Sequence, residues 1–226
     1  MEQKNAQPVE SSGKQKLLLW GSLLAIVLSA AWIFHWESMP SDVNVPLHQS
    51  IGVMLAEETF RLVGHNGKVV IVTMQTGRAP ELKVQMRAFQ KHLKTLGGCT
   101  ITDEVILDPG ENPKYRPGSG LSAKRFLKIA RKHKRVDAIV SFVGAPDVTP
   151  DDLKQLKSIP KFIAEARSPE RLEGLLEQKV LLAAVVPRYE FPAPGPRQPA
   201  TSRQWFDHYY QVIHPDTVLP KEDATP

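Results

Sequence analysis

Two kinds of hydrophobic pattern divide this chain. Across residues 17–36, twenty consecutive positions carry no formal charge, a run long enough to cross the hydrocarbon core of a bilayer as a helix. From Lys68 to Val186 the pattern is instead an alternation of short apolar runs with segments of helical period. Residues 68–74 form a β-branched run, and residues 79–96 then place Leu82, Met86, Phe89, Leu93 and Leu96 at spacings of four, three, four and three, one face of a helix. Residues 100–107 predict a second strand, 121–134 a second helix with Phe126, Ile129 and Ala130 inward, and 136–143 a third strand. The order then repeats. A short helix is predicted over 151–158 after Pro150, a short strand over 161–165, a helix over 169–177 capped by Ser168, and a fifth strand over 180–186.

Strands apolar at nearly every position, such as Val69-Val70-Ile71-Val72 and Leu181 to Val186, are buried on both faces, as happens when helices cover a parallel sheet. Right-handed crossovers then predict a single flavodoxin-like, Rossmann-type three-layer α/β sandwich with a mostly parallel five-stranded sheet in the order 2-1-3-4-5, preceded by one N-terminal transmembrane helix. The domain organisation follows: 1–16 a cytoplasmic tail, 17–36 the transmembrane helix, 37–67 a spacer and amphipathic helix, 68–187 the α/β domain, 188–226 a Pro-rich arm with an aromatic C-terminal segment. Within 37–67, residues 40–46 read as an extended spacer. Residues 46–63 read as a helix carrying Leu47, Ile51, Leu55, Phe60 and Leu62, with Pro46 in its first turn.

Lys4, Lys14 and Lys16 precede the apolar run and no Lys or Arg follows until Arg61. The positive-inside bias therefore predicts an inner-membrane protein crossing once, N-terminus in the cytoplasm and the C-terminal domain periplasmic. Trp20, Trp32 and Trp36 fit the aromatic belts at the two interfaces. A cleaved signal peptide is the competing reading, with Ser29-Ala30-Ala31 as small residues for a peptidase, although the run exceeds an ordinary signal core and continues through Trp32, Ile33 and Phe34.

The single cysteine, Cys99, can form no internal disulfide and reads as a small buried residue rather than a reactive thiol. The net charge of +5 is concentrated in Lys124, Arg125, Lys128, Arg131, Lys132, Lys134 and Arg135. They form either a solvated helix face or a docking patch for an anionic surface; outside the cytoplasm, nucleic acid is not an expected partner.

Lys68-Val69-Val70-Ile71-Val72, followed by a polar turn and an amphipathic helix, and Val136-Asp137-Ala138-Ile139-Val140 after a basic helix resemble one lobe of the periplasmic sugar-binding proteins of the type I fold. The resemblance covers Lys68 to Pro187, about half the chain. It implies capture of a small sugar-like ligand. Those proteins close two lobes on their ligand and this stretch supplies one, so the same clamp would need two copies face to face, a homodimer.

In an open parallel sheet a site lies beyond the carboxyl ends of the strands, at the switch point. The loops after the first and third strands bring Gln75, Thr76 and Arg78, then Gly144 and Asp147, as candidate ligand residues: Arg78 for an anionic group, Gln75 and Thr76 for hydroxyls, Asp147 as an acceptor. The same residue types also serve any strand-to-helix turn. Gly118-Ser119-Gly120, entering the second helix, is a candidate anion cradle, or else plain linker. Trp205, Tyr209 and Tyr210 lie in an aromatic, helix-like segment that either packs on its own domain or contacts a partner.

The seven histidines show no zinc-hydrolase spacing, there is no Walker loop, dinucleotide fingerprint or G-x-S-x-G elbow, and no cofactor or metal is implied. Two functions of different class remain. One is a membrane-anchored, non-enzymatic binding or assembly module with an envelope protein partner or a small polar ligand. The other is an enzyme on a Rossmann-like scaffold acting on an anionic or sugar substrate at the strand-end loops.

Overall fold

The computed structural model describes residues 20–29, 32, 43–75, 79–108, 120–167, 172–188 and 199–216. The chain divides into two units, Met1–Asp42 and Val43–Pro226. In the first, residues 20–29 are helical (α1), and Trp20, Leu23, Leu24, Ile26, Val27 and Leu28 are exposed. The rest of the predicted span lies outside the described residues apart from Trp32, and among the described residues no helix is long and apolar enough to cross a membrane.

The second unit opens on α2 (Val45–Val63). Asn44 Oδ1 accepts from the Leu47 amide at 3.2 Å and Pro46 occupies the first turn, where its missing N–H costs nothing. Gly64, at φ 69°, closes the helix with its N–H on the Phe60 carbonyl at 2.8 Å. Then follow β1 (Lys68–Met74), α3 (Pro80–Leu96), β2 (Thr100–Leu107), β3 (Leu121–Ser122), α4 (Ala123–Lys132), β4 (Ala138–Ser141), β5 (Pro146–Asp147), α5 (Pro150–Leu153), β6 (Lys161–Glu165), α6 (Glu173–Glu177), β7 (Leu181–Pro187), α7 (Ser202–Tyr209) and β8 (Tyr210–Ile213). The expected capping Ser168 lies outside the described residues.

A six-stranded sheet runs β2-β1-β4-β6-β7-β8. Its first five strands are parallel in the order expected, with Ile71 opposite Glu104 on one side and Val140 on the other. Strands β1, β4 and β7 are buried almost throughout, whereas β2, at the edge, alternates and leaves Ile106 exposed. Helix α2 packs beside α3 and α7 over β4, β6 and β7. Right-handed crossovers set α4, α5 and α6 on the opposite face. Phe89 against Phe142 and Phe126 against Phe162 meet edge to face in the core at 5.4 and 5.5 Å.

Two features correct the sequence reading. The sheet has a sixth strand: the aromatic segment is helical only to Tyr209, after which Tyr210–Ile213 pairs antiparallel with β7, burying Ile213 and Phe206. The free edge of β7 offers unpaired backbone groups that a β-branched, aromatic tetrapeptide satisfies. The helix expected from Leu121 begins at Ala123, because Leu121 and Ser122 pair instead with Pro146 and Asp147 in a second, two-stranded sheet.

The basic residues of α4 and the turn after it are solvated: Lys124, Lys128, Arg131, Lys132, Lys134 and Arg135 are exposed, with Lys132 on Asp103 at 3.1 Å and Arg131 on Gln155 at 2.8 Å. The Cys99 thiol donates to the Gly64 carbonyl at 3.2 Å, and burial raises its pKa, the reverse of an activated nucleophile.

Candidate functional site

Two regions of the sheet's carboxyl edge differ in kind. The first is the loop leaving β4. Ser141 Oγ donates to the Gly144 carbonyl at 2.7 Å, the Gly120 amide donates to the Val143 carbonyl at 3.1 Å, and the Leu121 amide donates to the Ala145 carbonyl at 3.0 Å. A Cβ on Gly120, at φ 84°, would collide with the Ala145 carbonyl, so only glycine permits this approach. Among the described residues the two segments satisfy each other's backbone groups here. Gly144 is buried and tied into this closure, Asp147 is exposed on β5 opposite Ser122, and the Gly120 amide is committed to Val143 rather than free for an anion. Gln75 is exposed just past β1; Thr76, Arg78, Gly118 and Ser119 lie outside the described residues.

The second region lies beyond β4, β6 and β7 on the side of α2 and α3. A cavity of about 240 Å³ is bounded there by Leu82, Phe142, Ala166 and Pro187, with His48, Glu81, Gln85, Glu165, Arg167 and Tyr210 as its polar lining. Its geometry begins with Gly52, where a Cβ would run into the Gln85 carbonyl. Without a side chain at that point α2 and α3 touch backbone to backbone, and His48, one turn earlier on the same face, meets Gln85. Gln85 Nε2 donates to His48 Nδ1 and to Glu165 Oε1, both at 3.2 Å. Gln85 is 1% exposed, yet its Oε1 has no donor, and Glu165 Oε2 is likewise sealed from solvent without a partner. Buried polar atoms are nearly always paired, so two orphan acceptors on adjoining head groups mark a place where something is missing.

The electrostatics follow from burial. Desolvation pushes the Glu165 carboxyl up to about 7, with the Glu81 charge adding to the rise and the Gln85 hydrogen bond and Arg167 opposing it. Burial lowers the His48 pKa against the pull of Glu81, leaving a neutral imidazole that accepts at Nδ1. The Tyr210 phenol is pushed up to about 12 by burial and then by the Glu165 charge. This lining offers hydrogen bonds and two carboxyls, of which burial raises that of Glu165. It holds no thiol or activated hydroxyl, and among the described residues no cluster of His, Cys, Asp and Glu is arranged to hold a metal ion.

Among the described residues, Tyr210 alone of those expected from the sequence lines this cavity. Trp205 stacks on Tyr209 at 5.9 Å and Phe206 on Tyr210 at 6.2 Å, while α7 packs on α2, so the aromatic segment packs on its own unit. Gln85 carried a signal: a polar residue on the buried stripe of an amphipathic helix, between Leu82 and Phe89. Glu165 carried another, a carboxylate ending a strand after the apolar run Phe162-Ile163-Ala164.

No family model and no curated protein matches the sequence. Solved structures share the fold. The XylFII molecule matches at 14% identity with a TM-score of 0.50, over 74% of this chain and 60% of that one. The XylFII–LytSN complex matches at 14% identity and 0.50, over 76% and 61%. A solute-binding protein of an ABC transporter from Burkholderia graminis C4D1M, in complex with D-arabinose, matches at 21% identity and 0.47, over 62% and 47%. The chain thus spans about half to three fifths of the length of the structures it matches. At such identities the likeness is one of fold alone, and it agrees with the resemblance of the strand sequences to one lobe of the periplasmic sugar-binding fold.

Proposed function

We propose that this protein is a non-enzymatic, membrane-anchored extracytoplasmic binding module whose ligand, a small polar molecule, occupies the cavity among His48, Gln85, Glu165 and Tyr210. The observation that carries this reading is the pair of buried acceptors, Gln85 Oε1 and Glu165 Oε2, left without donors beside about 240 Å³ of space. That volume falls below the ~300 Å³ at which pockets for drug-sized ligands begin, and suits a molecule of monosaccharide size. Anchoring rests on the charge-free run of residues 17–36 and the lysines before it.

Thermal unfolding of the full-length protein in detergent, against a panel of monosaccharide-sized neutral, cationic and anionic compounds, tests the cavity. At least one compound should raise the Tm, and Gln85→Leu should abolish that rise; a panel without effect removes the ligand reading. Protease added to spheroplasts tests the compartment: the large C-terminal portion should be digested without lysis, and its survival would place it inside.

A second reading, an enzyme working at the same crevice, is favoured by one observation, the raised carboxyl of Glu165 in a cleft. It predicts turnover of a bound compound that Glu165→Gln stops without loss of binding.

A further inference from the structure

Resting on the reading of this cavity as a ligand site, we infer that its occupant is a small cation rich in hydrogen-bond donors, a primary ammonium flanked by hydroxyls, and that it binds by displacing a proton from Glu165. Both amide hydrogens of Gln85 are already given away, to His48 Nδ1 and Glu165 Oε1. What this pair of head groups lacks is a donor, since Gln85 Oε1 and, when the carboxyl is ionised, Glu165 Oε2 can only accept. A phosphate or carboxylate would bring more acceptors to acceptors. A lone hydroxyl donates one hydrogen, whereas an ammonium carries three and can serve both oxygens at once.

The charges facing Glu165 agree. Glu81 stands on α3, neutral His48 on α2, Arg167 just past β6 and the phenol of Tyr210 on β8, so two carboxyls face one guanidinium. With the cavity empty, a proton on Glu165 Oε2 supplies one missing donor, and burial holds that carboxyl at about 7, half protonated near neutrality. Binding exchanges one donor for another: the carboxylic acid loses its proton to solvent, the carboxylate pairs with the ammonium, and no other bond changes.

The test is isothermal titration of the full-length protein in detergent with D-glucamine and with D-glucitol, alike except that a primary amine replaces one hydroxyl, near pH 5.5 and pH 8. The amine stays protonated throughout, because a primary alkyl ammonium, even lowered about one unit below lysine's ~10.4 by its neighbouring hydroxyl, titrates above pH 8. Because only the ionised carboxyl is competent, a group titrating at about 7 makes glucamine bind about 30-fold tighter at the higher pH. Near neutrality the heat should vary with buffer as about half a proton per site is released. Glucitol should bind at least about tenfold more weakly, and Glu165→Gln should remove the pH dependence. The buffer dependence is read on the unaltered protein, so it stands even if the variant folds poorly. Glucitol binding as tightly as glucamine, without pH dependence, overturns the cation assignment and leaves the cavity reading intact. If neither compound binds, the cation assignment falls, and the wider panel decides separately whether the cavity reading falls with it.

Discussion

The loop after β4 and the cavity over β6 and β7 occupy the same edge of one sheet and solve opposite problems. At Gly120 and Gly144–Asp147, glycine and proline let two chain segments pair and satisfy each other's backbone. Around the cavity, side chains from α2, α3, β6 and β8 converge and leave two acceptors unpaired. Turn chemistry therefore marks where this fold closes itself. Its opening is made of polar residues at otherwise apolar helix and strand positions.

The largest expected effect breaks the open region at its foundation. Gly52→Val forces α2 away from the Gln85 carbonyl; overpacking of this kind should cost about 3 kcal/mol in urea unfolding and separate His48 from Gln85, abolishing ligand binding. The next effect is on pH. The Glu165 carboxyl titrates at about 7 in the folded protein against an ordinary value near 4.5, so the native state keeps a proton that the unfolded chain has released. The contribution of Glu165 to stability is then greatest below about pH 4.5, falls as pH rises and levels off above about 7, a loss of about 3 kcal/mol that Glu165→Gln should flatten.

Gly120→Ala attacks the closed region instead. Its positive φ and the Ala145 carbonyl in its way predict a loss of about 2 kcal/mol, with the Kd for a cavity ligand unchanged. The smallest effect sharpens the contrast: Asp147→Ala, on an exposed side chain, should change stability by less than about 0.5 kcal/mol and leave ligand binding alone. A binding defect from Asp147→Ala would return the site to the β4 loop.

The parallel order was legible because strands β1 and β7 are apolar at nearly every position and the intervening helices have clear period. Strand β8 was not, since Trp205 to Ile213 reads as one aromatic, helix-like stretch and only the unpaired edge of β7 decides where helix gives way to strand. The pairing of Leu121-Ser122 with Pro146-Asp147 was hidden for the same reason, being a contact between two segments that look like linker and turn. The candidate site stayed unread because its members stand far apart in sequence, His48, Gln85, Glu165 and Tyr210 each unremarkable alone. Only the close approach of α2 and α3 at Gly52 joins the first two.

The most direct measurement is an NMR titration of the Glu165 carboxyl in the full-length protein, with and without glucamine. An apparent pKa of about 7 that drops well below 7 once the amine is bound is the predicted result. A carboxyl that titrates near 4.5, its ordinary value, and ignores the amine would contradict the account.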